Sequence, residues 1–277
     1  MPPIAVTGAT GRLGGRVANR LAAAGVEQRL VVRDPRRAPR VDNTEVVTAE
    51  YGDAAAVREA LDGVDVVLMV SGSESVDRVD RHRTFIDAAR AAGVRHLVYT
   101  SFFGASPDAT FTLVRDHWLT EQHIRDSGLA FTFLRDNLYA DFVPLMMDDE
   151  GVIRGPAGDG RAAVVAQDDI ADVAAAVLRD PAPHAGACYD MTGPEALTMT
   201  EIAAIASAAL GREVRFVNET IDEAYQSRAK YNAPGWQVDA WVSNYTAIAA
   251  GELDGVSSAI PDITGHPATS LADLLSR

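Results

Sequence analysis

The chain has 277 residues, 47% hydrophobic and 23% charged, which is typical of a folded protein with one large domain or one domain and a smaller lobe. Its formal net charge of −14 argues against nucleic acid or an anionic membrane as a partner, because both attract basic proteins. The one cysteine, Cys188, excludes an internal disulfide, and we expect it to be buried in a strand. A strand predicted from Ile4 leaves no room for a signal peptide, and no apolar run approaches the ~20 residues of a membrane span, so we expect a cytoplasmic protein.

The first half of the chain alternates apolar strands with amphipathic helices that end near glycine. The predicted strands are Ile4–Thr7, Arg29–Arg33, Glu45–Thr48, Asp65–Val70, Arg95–Thr100 and Ala130–Leu134. The predicted helices are Arg12–Ala24, Ala54–Leu61, Val76–Ala92 and Thr112–Ser127. Because the strands are mostly continuous apolar runs, both faces of the sheet should be covered by helices. Right-handed crossovers then predict an α/β fold with a doubly wound parallel sheet.

The alternation weakens after about residue 135. Residues 151–160 contain four glycines and one proline, which predicts a turn-rich connection. A helix at Asp168–Leu178 and a strand at Ala187–Met191 follow, and Thr198 with Glu201 forms a capping-box pattern for a helix that ends at Gly211. We therefore assign residues 1–150 to a first domain, with returning elements around 162–192, and residues 193–277 to a smaller C-terminal α/β lobe.

A glycine-rich loop lies between the first strand and the first helix. Gly8, Gly11 and Gly14 follow the spacing that allows a tight turn, a close approach to a diphosphate and close packing of helix on strand. The helix N-terminus then offers N–H groups and a positive dipole end to phosphates. A plain glycine turn is the alternative, but the position at the first strand–helix junction favours a Rossmann nucleotide site. The loop residues predicted to bind the cofactor are Gly8, Thr10, Gly11, Arg12, Leu13 and Gly14.

The segment after the second strand bears on the choice of nucleotide. Four arginines, Arg33, Arg36, Arg37 and Arg40, fall within eight residues of an acidic protein. Guanidinium groups suit a ribose 2′-phosphate, so this cluster favours NADP(H) over NAD. Two alternatives stay open: Asp34 pairs with an arginine in a solvated loop, or Asp34 serves the ribose of NAD.

Several segments together resemble the NmrA-like atypical short-chain dehydrogenases, and most of all the bacterial type-2 NAD(P)H:quinone oxidoreductases. The resemblance runs from about residue 3 to 275 and is specific in the first 140 residues. It implies a Rossmann domain with a small substrate lobe and NADPH as cofactor. It also implies that Arg33 holds the 2′-phosphate and that Asp53, Val70, Ser71 and Gly72 line the cofactor groove. The segments that carry it are Thr7–Gly14, Val32–Pro35, Tyr51–Asp53, Val70–Glu74, Ala89–Ser101 and Glu121–Arg135.

The chain departs from the Tyr-x-x-x-Lys pair of many short-chain dehydrogenases. Its single lysine, Lys230, lies far outside the expected helix, where the family position of the lysine is Gln122 and Trp118 stands four residues earlier. Gln122 can still hydrogen-bond a ribose, but it carries no charge to lower the pKa of a neighbour. A tyrosine–lysine alcohol dehydrogenase is therefore disfavoured, and so is an isomerase or epimerase. Quinone reduction tolerates the loss, since the reduced oxygen is a weak base that can take its proton from water.

Four side chains are the candidates for catalysis. Besides Gln122, these are Ser101 at the carboxyl end of the fifth strand, His117 as a proton donor near neutral pH, and Tyr139 after the sixth strand. Tyr139 and Asn137 together would shape the nicotinamide pocket. Ser101 and Gln122 are also predicted to contact the cofactor. Structural alternatives stay open for most of these residues: a helix or loop cap for Ser101, an ion pair of His117 with Glu121 four residues on, and lobe packing for Asn137 and Tyr139.

We therefore predict an NADPH-dependent oxidoreductase that transfers hydride to a small quinone-like or conjugated carbonyl acceptor. The alternative is a non-catalytic NADP(H)-binding redox sensor that acts through a protein partner. Such a sensor would not need the tyrosine–lysine pair. No cluster has metal-ligand spacing, so we expect no metal site. A homodimer is the oligomer to expect among soluble proteins.

Overall fold

The computed structural model describes residues 3–277, and the chain divides into two compact units. The first unit comprises Met1–Ser101, Asp116–Arg135 and Gln167–Tyr189. The second comprises Phe102–Arg115, Asp136–Ala166 and Asp190–Arg277. The two units are each built around a hydrophobic core of their own.

A seven-stranded sheet has the strand order β3-β2-β1-β4-β5-β6-β9. The registers from β3 through β5 are all parallel, which confirms the predicted doubly wound sheet. Because β1 pairs with β2 on one side and β4 on the other, the strand order reverses direction at β1, and ligands bind at such switch points. The strands are β1 (Ile4–Thr7), β2 (Gln28–Val32), β3 (Thr44–Thr48), β4 (Val66–Met69), β5 (His96–Phe102), β6 (Ala130–Asp136) and β9 (Cys188–Met191).

The helices of the sheet lie close to the predicted positions, and α4 has the predicted bounds. They are α1 (Arg12–Ala23), α2 (Ala54–Ala60), α3 (Arg78–Ala91), α4 (Thr112–Ser127) and α5 (Gln167–Arg179). The prediction for α3 was wrong at its start, since the helix begins at Arg78 and not at Val76. Val76 is 83% exposed, so no burial holds it in a first helical turn.

The second unit contains two small sheets and five further helices. Parallel β7 (Val152–Gly155) and β11 (Arg215–Asn218) form one sheet, and antiparallel β8 (Arg161–Ala162) and β10 (Leu197–Thr198) form the other. The turn-rich reading of 151–160 was therefore incomplete, because it missed β7. The helices are α6 (Met199–Leu210), α7 (Ile221–Arg228), α8 (Gly235–Ala249), α9 (Ala259–Thr264) and α10 (Leu271–Leu275).

Local signals in this region behave as expected. The Thr198 side chain accepts from the Glu201 N–H and the Glu201 side chain accepts from the Thr198 N–H, so the predicted capping box is confirmed. Gly211 ends α6 with a φ of 63°.

The prediction that Cys188 is buried was wrong: it is exposed, since β9 is an edge strand of the sheet. Within residues 3–277, none of the helices has the length and apolar character needed to cross a bilayer.

Candidate functional site

The loop between β1 and α1 forms a backbone cradle at the switch point of the sheet. Gly8 has a φ of 64°, and its carbonyl accepts a hydrogen bond from the Gly11 N–H at 2.8 Å. A Cβ on Gly14 would lie 2.5 Å from the carbonyl group of Gly8, so only glycine lets α1 start this close to the strand. Gly11 caps α1 without a side-chain hydrogen bond. The positive end of the helix therefore opens onto a loop of bare backbone, which suits a diphosphate.

The side chains of the other loop residues differ in how deeply they are buried. Leu13 is buried and contributes its side chain to the core, so only its backbone can serve a ligand. Thr10 is half-buried and Arg12 is exposed. The cradle is thus made by main-chain atoms, with two polar side chains at its rim.

A hydrogen-bonded cluster holds the ends of β1 and β4 together next to the cradle. The Tyr51 hydroxyl donates to the Val70 carbonyl at 2.6 Å and lies 2.5 Å from Thr7 Oγ1. Thr7 Oγ1 in turn accepts from the Val70 N–H at 2.9 Å. Burial raises the pKa of Tyr51, so the phenol keeps the proton that this arrangement needs. Because a Cβ on Gly8 would meet Val70 at 2.9 Å, the end of β4 packs directly on the cradle.

In the arginine cluster after β2, Arg36 is paired with an acid and Arg33 is exposed. Asp34 accepts from Arg36 Nε at 2.9 Å and from Arg36 Nη2 at 3.0 Å. The side-chain bond from Arg36 keeps the pKa of Asp34 below its usual value, so the carboxylate is charged and already paired. Arg33 is exposed at the end of β2, near enough to Tyr51 for its charge to lower the pKa of that phenol. Of the two alternatives for Asp34, the structure shows the pair with an arginine.

Asp53, which follows β3, serves as the N-cap of α2. Its Oδ1 accepts from the N–H groups of Ala55 and Ala56 at 3.1 and 3.0 Å and so caps α2. A role in cofactor binding stays a prediction, and Asp53 would have to perform it in addition to capping.

The predicted groove segment after β4 is held by side chains of the first unit. The Ser71 N–H donates to Thr100 Oγ1 at 2.8 Å, and the Gly72 N–H donates to His82 Nε2 at 2.9 Å. Since His82 Nε2 accepts, its Nδ1 carries the proton and donates to Thr120 Oγ1 at 2.9 Å. Burial lowers the pKa of His82 to about 3, which keeps the ring neutral. These bonds fix the backbone at the carboxyl end of β4.

Ser101 belongs to a buried ion-pair cluster. Its hydroxyl donates to Glu121 Oε1 at 2.6 Å, and Arg135 binds the same carboxylate through Nε at 2.8 Å and Nη2 at 2.7 Å. Glu121 is fully buried and Ser101 is 2% exposed. The cluster joins β5, α4 and β6 near the carboxyl ends of both strands. With its proton committed to Glu121, Ser101 could meet a ligand only as a hydrogen-bond acceptor, so its catalytic role stays a prediction.

His117 lies inside the first unit and not at a surface. It is 6% exposed, its Nε2 lies 2.9 Å from Arg78 Nη2, and its Nδ1 lies 3.0 Å from the Tyr99 hydroxyl. Because a guanidinium can only donate, Nε2 accepts, and Nδ1 carries the single ring proton. Burial and the Arg78 charge hold the pKa of His117 well below its usual value. A neutral, enclosed ring is poorly placed to protonate an acceptor, and Glu121, its expected ion-pair partner, is bound by Arg135.

The last site candidates lie on α4 and after β6. Gln122 is half-buried on α4. Asn137 is 1% exposed; its amide donates to the Leu253 carbonyl at 3.0 Å and accepts from the Leu138 N–H at 2.7 Å, as packing within the second unit would predict. The half-buried Tyr139 donates its hydroxyl to Asp136 Oδ2 at 2.8 Å. Of these three side chains, Tyr139 is the one that hydrogen-bonds a carboxyl group.

Sequence reasoning missed three residues that organise these positions. Tyr51 and Asp136 were given no role of their own and Glu121 was considered only as a partner of His117, because each works through a partner distant in sequence or through burial. The only sequence signal was their place after, or facing, the carboxyl ends of strands, where polar residues tend to be functional. For Glu121, the spacing to His117 suggested the wrong partner.

The cradle fits the phosphates of a dinucleotide, since a Cβ at Gly8 or Gly14 would fill the space that the backbone leaves. A family model described as NAD(P)H-binding matches residues 8–181. Quinone oxidoreductase 2 of Escherichia coli (strain K12) is 34% identical over 99% of this chain and 97% of its own length. An NAD(P)H azoreductase of Xenophilus azovorans is 34% identical over 98% of this chain and 96% of its own length.

Solved structures agree with these matches. A crystal structure of an NADPH-dependent quinone oxidoreductase from Escherichia coli, complexed with NADPH, matches with a TM-score of 0.89 and 33% identity. The match covers 99% of this chain and 98% of that one. The resemblance seen in the sequence motifs is thereby confirmed, and the chain belongs to the NAD(P)H-binding family.

Proposed function

We propose that this protein is an oxidoreductase that binds NADPH and transfers hydride to a small quinone-like or conjugated carbonyl acceptor. The observation that carries the proposal is the glycine cradle at the switch point, where a Cβ on Gly14 would overlap the carbonyl group of Gly8. The relatives named quinone oxidoreductase and NAD(P)H azoreductase share nearly the full length of the chain and support the same class of reaction.

The preference for NADPH rests on the arginines after β2. Asp34, which could otherwise bind the ribose hydroxyls of NAD, is occupied by Arg36. Arg33 is exposed directly after β2, and a guanidinium fork matches a phosphate well, which supports Arg33 as the residue that would bind the 2′-phosphate.

The chain's contribution to the reaction is chiefly binding and orientation. When bound, the nicotinamide would supply the hydride. The cluster of Thr7, Tyr51 and Val70 fixes the strand ends beside the cradle, and the Ser101–Glu121–Arg135 cluster fixes those of β5 and β6. Positioning of two reactants in a rigid site can account for much of a rate enhancement, which suits an acceptor whose product is a weak base.

We take one cavity as a candidate site for the acceptor. The second unit contains a cavity of about 240 Å³. This is below the roughly 300–1,000 Å³ of sites for drug-sized ligands. Aromatic rings of Phe103 and Phe111 line it, together with the carboxylates of Asp108 and Glu252. An acceptor that binds there would be small, and stacking on the rings would favour a planar one.

Oxidation of NADPH by a simple quinone such as menadione tests the proposal. We expect steady loss of the reduced-nicotinamide absorbance that depends on both enzyme and quinone, and slower loss with NADH. Tight binding of NADPH without turnover across quinones, azo dyes and conjugated carbonyls would instead identify a non-catalytic sensor. Absence of binding to either reduced cofactor would refute the cradle assignment itself.

The proposal also covers the cellular compartment and the oligomeric state. The compartment we expect is the cytoplasm, since a chain with a single cysteine suits a reducing environment. We expect a homodimer, because twofold dimers are the commonest soluble oligomers. Light scattering after size exclusion, with and without NADPH, measures the oligomeric state directly.

A further inference from the structure

Three successive backbone N–H groups after β4 each donate to a side chain. The acceptors lie on β1, β5 and α3, so side chains continue the hydrogen bonding of the sheet past the end of β4. The donor and acceptor pairs are Val70 with Thr7 Oγ1 at 2.9 Å, Ser71 with Thr100 Oγ1 at 2.8 Å and Gly72 with His82 Nε2 at 2.9 Å. Because its donors are held from three elements, the segment of residues 70–72 has a defined backbone orientation.

The segment lies directly beside the glycine cradle. A Cβ on Gly8 would meet the Val70 side chain at 2.9 Å, and Thr7, the residue before Gly8, binds the Val70 N–H. Ser71 and Gly72 are the next two residues, and both are half-buried, so a ligand on the cradle can reach them. Among the described residues, neither of their two carbonyl oxygens accepts a hydrogen bond. Both oxygens are therefore open to a donor on a ligand.

The hydrogen bond to His82 sets the direction of the Ser71 carbonyl group. The peptide unit between Ser71 and Gly72 is trans, so its C=O and N–H groups point in opposite directions. Since the Gly72 N–H points to His82 on α3, the Ser71 carbonyl points away from α3. Right-handed crossovers put α1 and α3 on opposite faces of this sheet, because their strands lead away from β1 and β4 in opposite directions. The Ser71 carbonyl thus points toward the side of the sheet that carries α1 and the cradle.

His82 is itself held in one orientation. Its Nδ1 donates to Thr120 Oγ1 at 2.9 Å, and the Thr120 hydroxyl donates to the Asp116 carbonyl at 2.8 Å. The ring is fully buried and meets the Tyr99 ring edge-on, with centroids 5.9 Å apart and planes at 77°. The hydrogen bonds run in one direction from the Gly72 N–H to the Asp116 carbonyl, so the ring cannot rotate or change tautomer without losing one of them.

We propose that His82 is a positioning residue which, through Gly72, presents the Ser71 carbonyl oxygen to a ribose hydroxyl in the nicotinamide half of the cofactor. The inference rests on the proposed function, because it takes NADPH as the occupant of the cradle. The strands β2 and β4 flank β1 on opposite sides, and the 2′-phosphate is assigned to Arg33 after β2. With the diphosphate on the cradle, the other half of the dinucleotide extends toward β4, and its ribose is the first group beyond the diphosphate.

Binding of cofactor fragments to His82 variants is the central test. His82→Leu removes the acceptor of the Gly72 N–H, and we expect the Kd for NADPH to rise about 3- to 10-fold, as for the loss of one oriented hydrogen bond. The same loss should appear with 2′-phospho-ADP-ribose, which keeps the second ribose but lacks nicotinamide. It should be absent with 2′,5′-ADP, which lacks that ribose. His82→Gln keeps an acceptor and should stay within roughly twofold of the wild type for all three ligands.

His96 provides a matched control for the loss of a buried histidine. It is 5% exposed and its Nε2 lies 2.8 Å from Thr132 Oγ1, but it stands at the amino end of β5, at the sheet edge opposite the cradle. His96→Leu should lower the melting temperature and leave the affinity for all three ligands unchanged. If His82→Leu does not fold, the isosteric Thr100→Val, which frees the Ser71 N–H, should show the same dependence on the second ribose.

Hydrogen exchange of the Gly72 amide in the free protein gives a readout that needs neither ligand nor turnover. Exchange should be slow in the wild type and in His82→Gln, faster in His82→Leu, and unchanged in His96→Leu. The inference is overturned if His82→Leu binds NADPH like the wild type, if 2′,5′-ADP shows the same loss, or if 2′-phospho-ADP-ribose shows none. A wild-type protein that binds NADPH at neither high nor low concentration would refute the proposed function instead.

Discussion

Replacement of His82 by glutamine should make the protein less sensitive to acid. His82 is fully buried, accepts from the Gly72 N–H at 2.9 Å and donates to Thr120. Burial, with a smaller effect of the Arg78 charge, lowers its pKa to about 3. A group whose folded-state pKa is depressed stabilises the fold above its unfolded pKa, and that stability is lost as the pH falls.

The magnitude follows from the two pKa values. Near pH 5 an unfolded histidine, with a pKa of about 6.5, is almost fully protonated, whereas the folded ring is still neutral. The free energy of unfolding should therefore drop by about 2 kcal/mol between pH 7.5 and pH 5 through His82 alone. The value hardly depends on the exact folded pKa, provided that it lies below roughly 4.

Urea unfolding at pH 7.5 and pH 5 measures this difference. Glutamine keeps an acceptor for the Gly72 N–H but does not titrate, so the drop for His82→Gln should be smaller than that of the wild type by about 2 kcal/mol. His266→Gln controls for the loss of a histidine elsewhere. Equal drops for the wild type and His82→Gln would show that the ring is not held neutral by burial, and the tautomer assigned to the groove segment would fail with it.

Two further substitutions test the cofactor site. Gly14→Ala should weaken NADPH binding more than tenfold and lower stability by about 1–3 kcal/mol, because its Cβ would lie 2.5 Å from the Gly8 backbone. Gly15→Ala, whose Cβ would lie 3.1 Å from the nearest backbone oxygen, is the matched control, and equal effects in calorimetry would contradict the cradle. Arg33→Ala should weaken NADPH by about 10- to 100-fold and leave NADH nearly unchanged, through the loss of a charge-assisted phosphate contact of about 1.5–3 kcal/mol. Arg37→Ala serves as its control, and a similar loss for both cofactors in fluorescence titration would remove the 2′-phosphate assignment.

Much of the fold could be predicted because its signals are local. Continuous apolar runs marked the parallel strands, and α4 was found with its exact bounds at Thr112–Ser127. The capping box at Thr198 and the left-handed Gly211 depend on neighbours within a few residues. By contrast, β8 and β10 are two residues long and are defined by pairing between distant parts of the chain, so no periodicity could reveal them.

The sequence alone determined the strand–helix order, the glycine cradle and the family, because each depends on periodicity or on the absence of a Cβ at fixed spacing. Only the tertiary structure decided which polar groups are partners. Glu121 is bound by Ser101 and Arg135 and Asp136 by Tyr139, while His117 is enclosed with Arg78. The reason is that the charge state of a buried group depends on its desolvation and on partners brought together from different elements, and neither is encoded in its immediate neighbours.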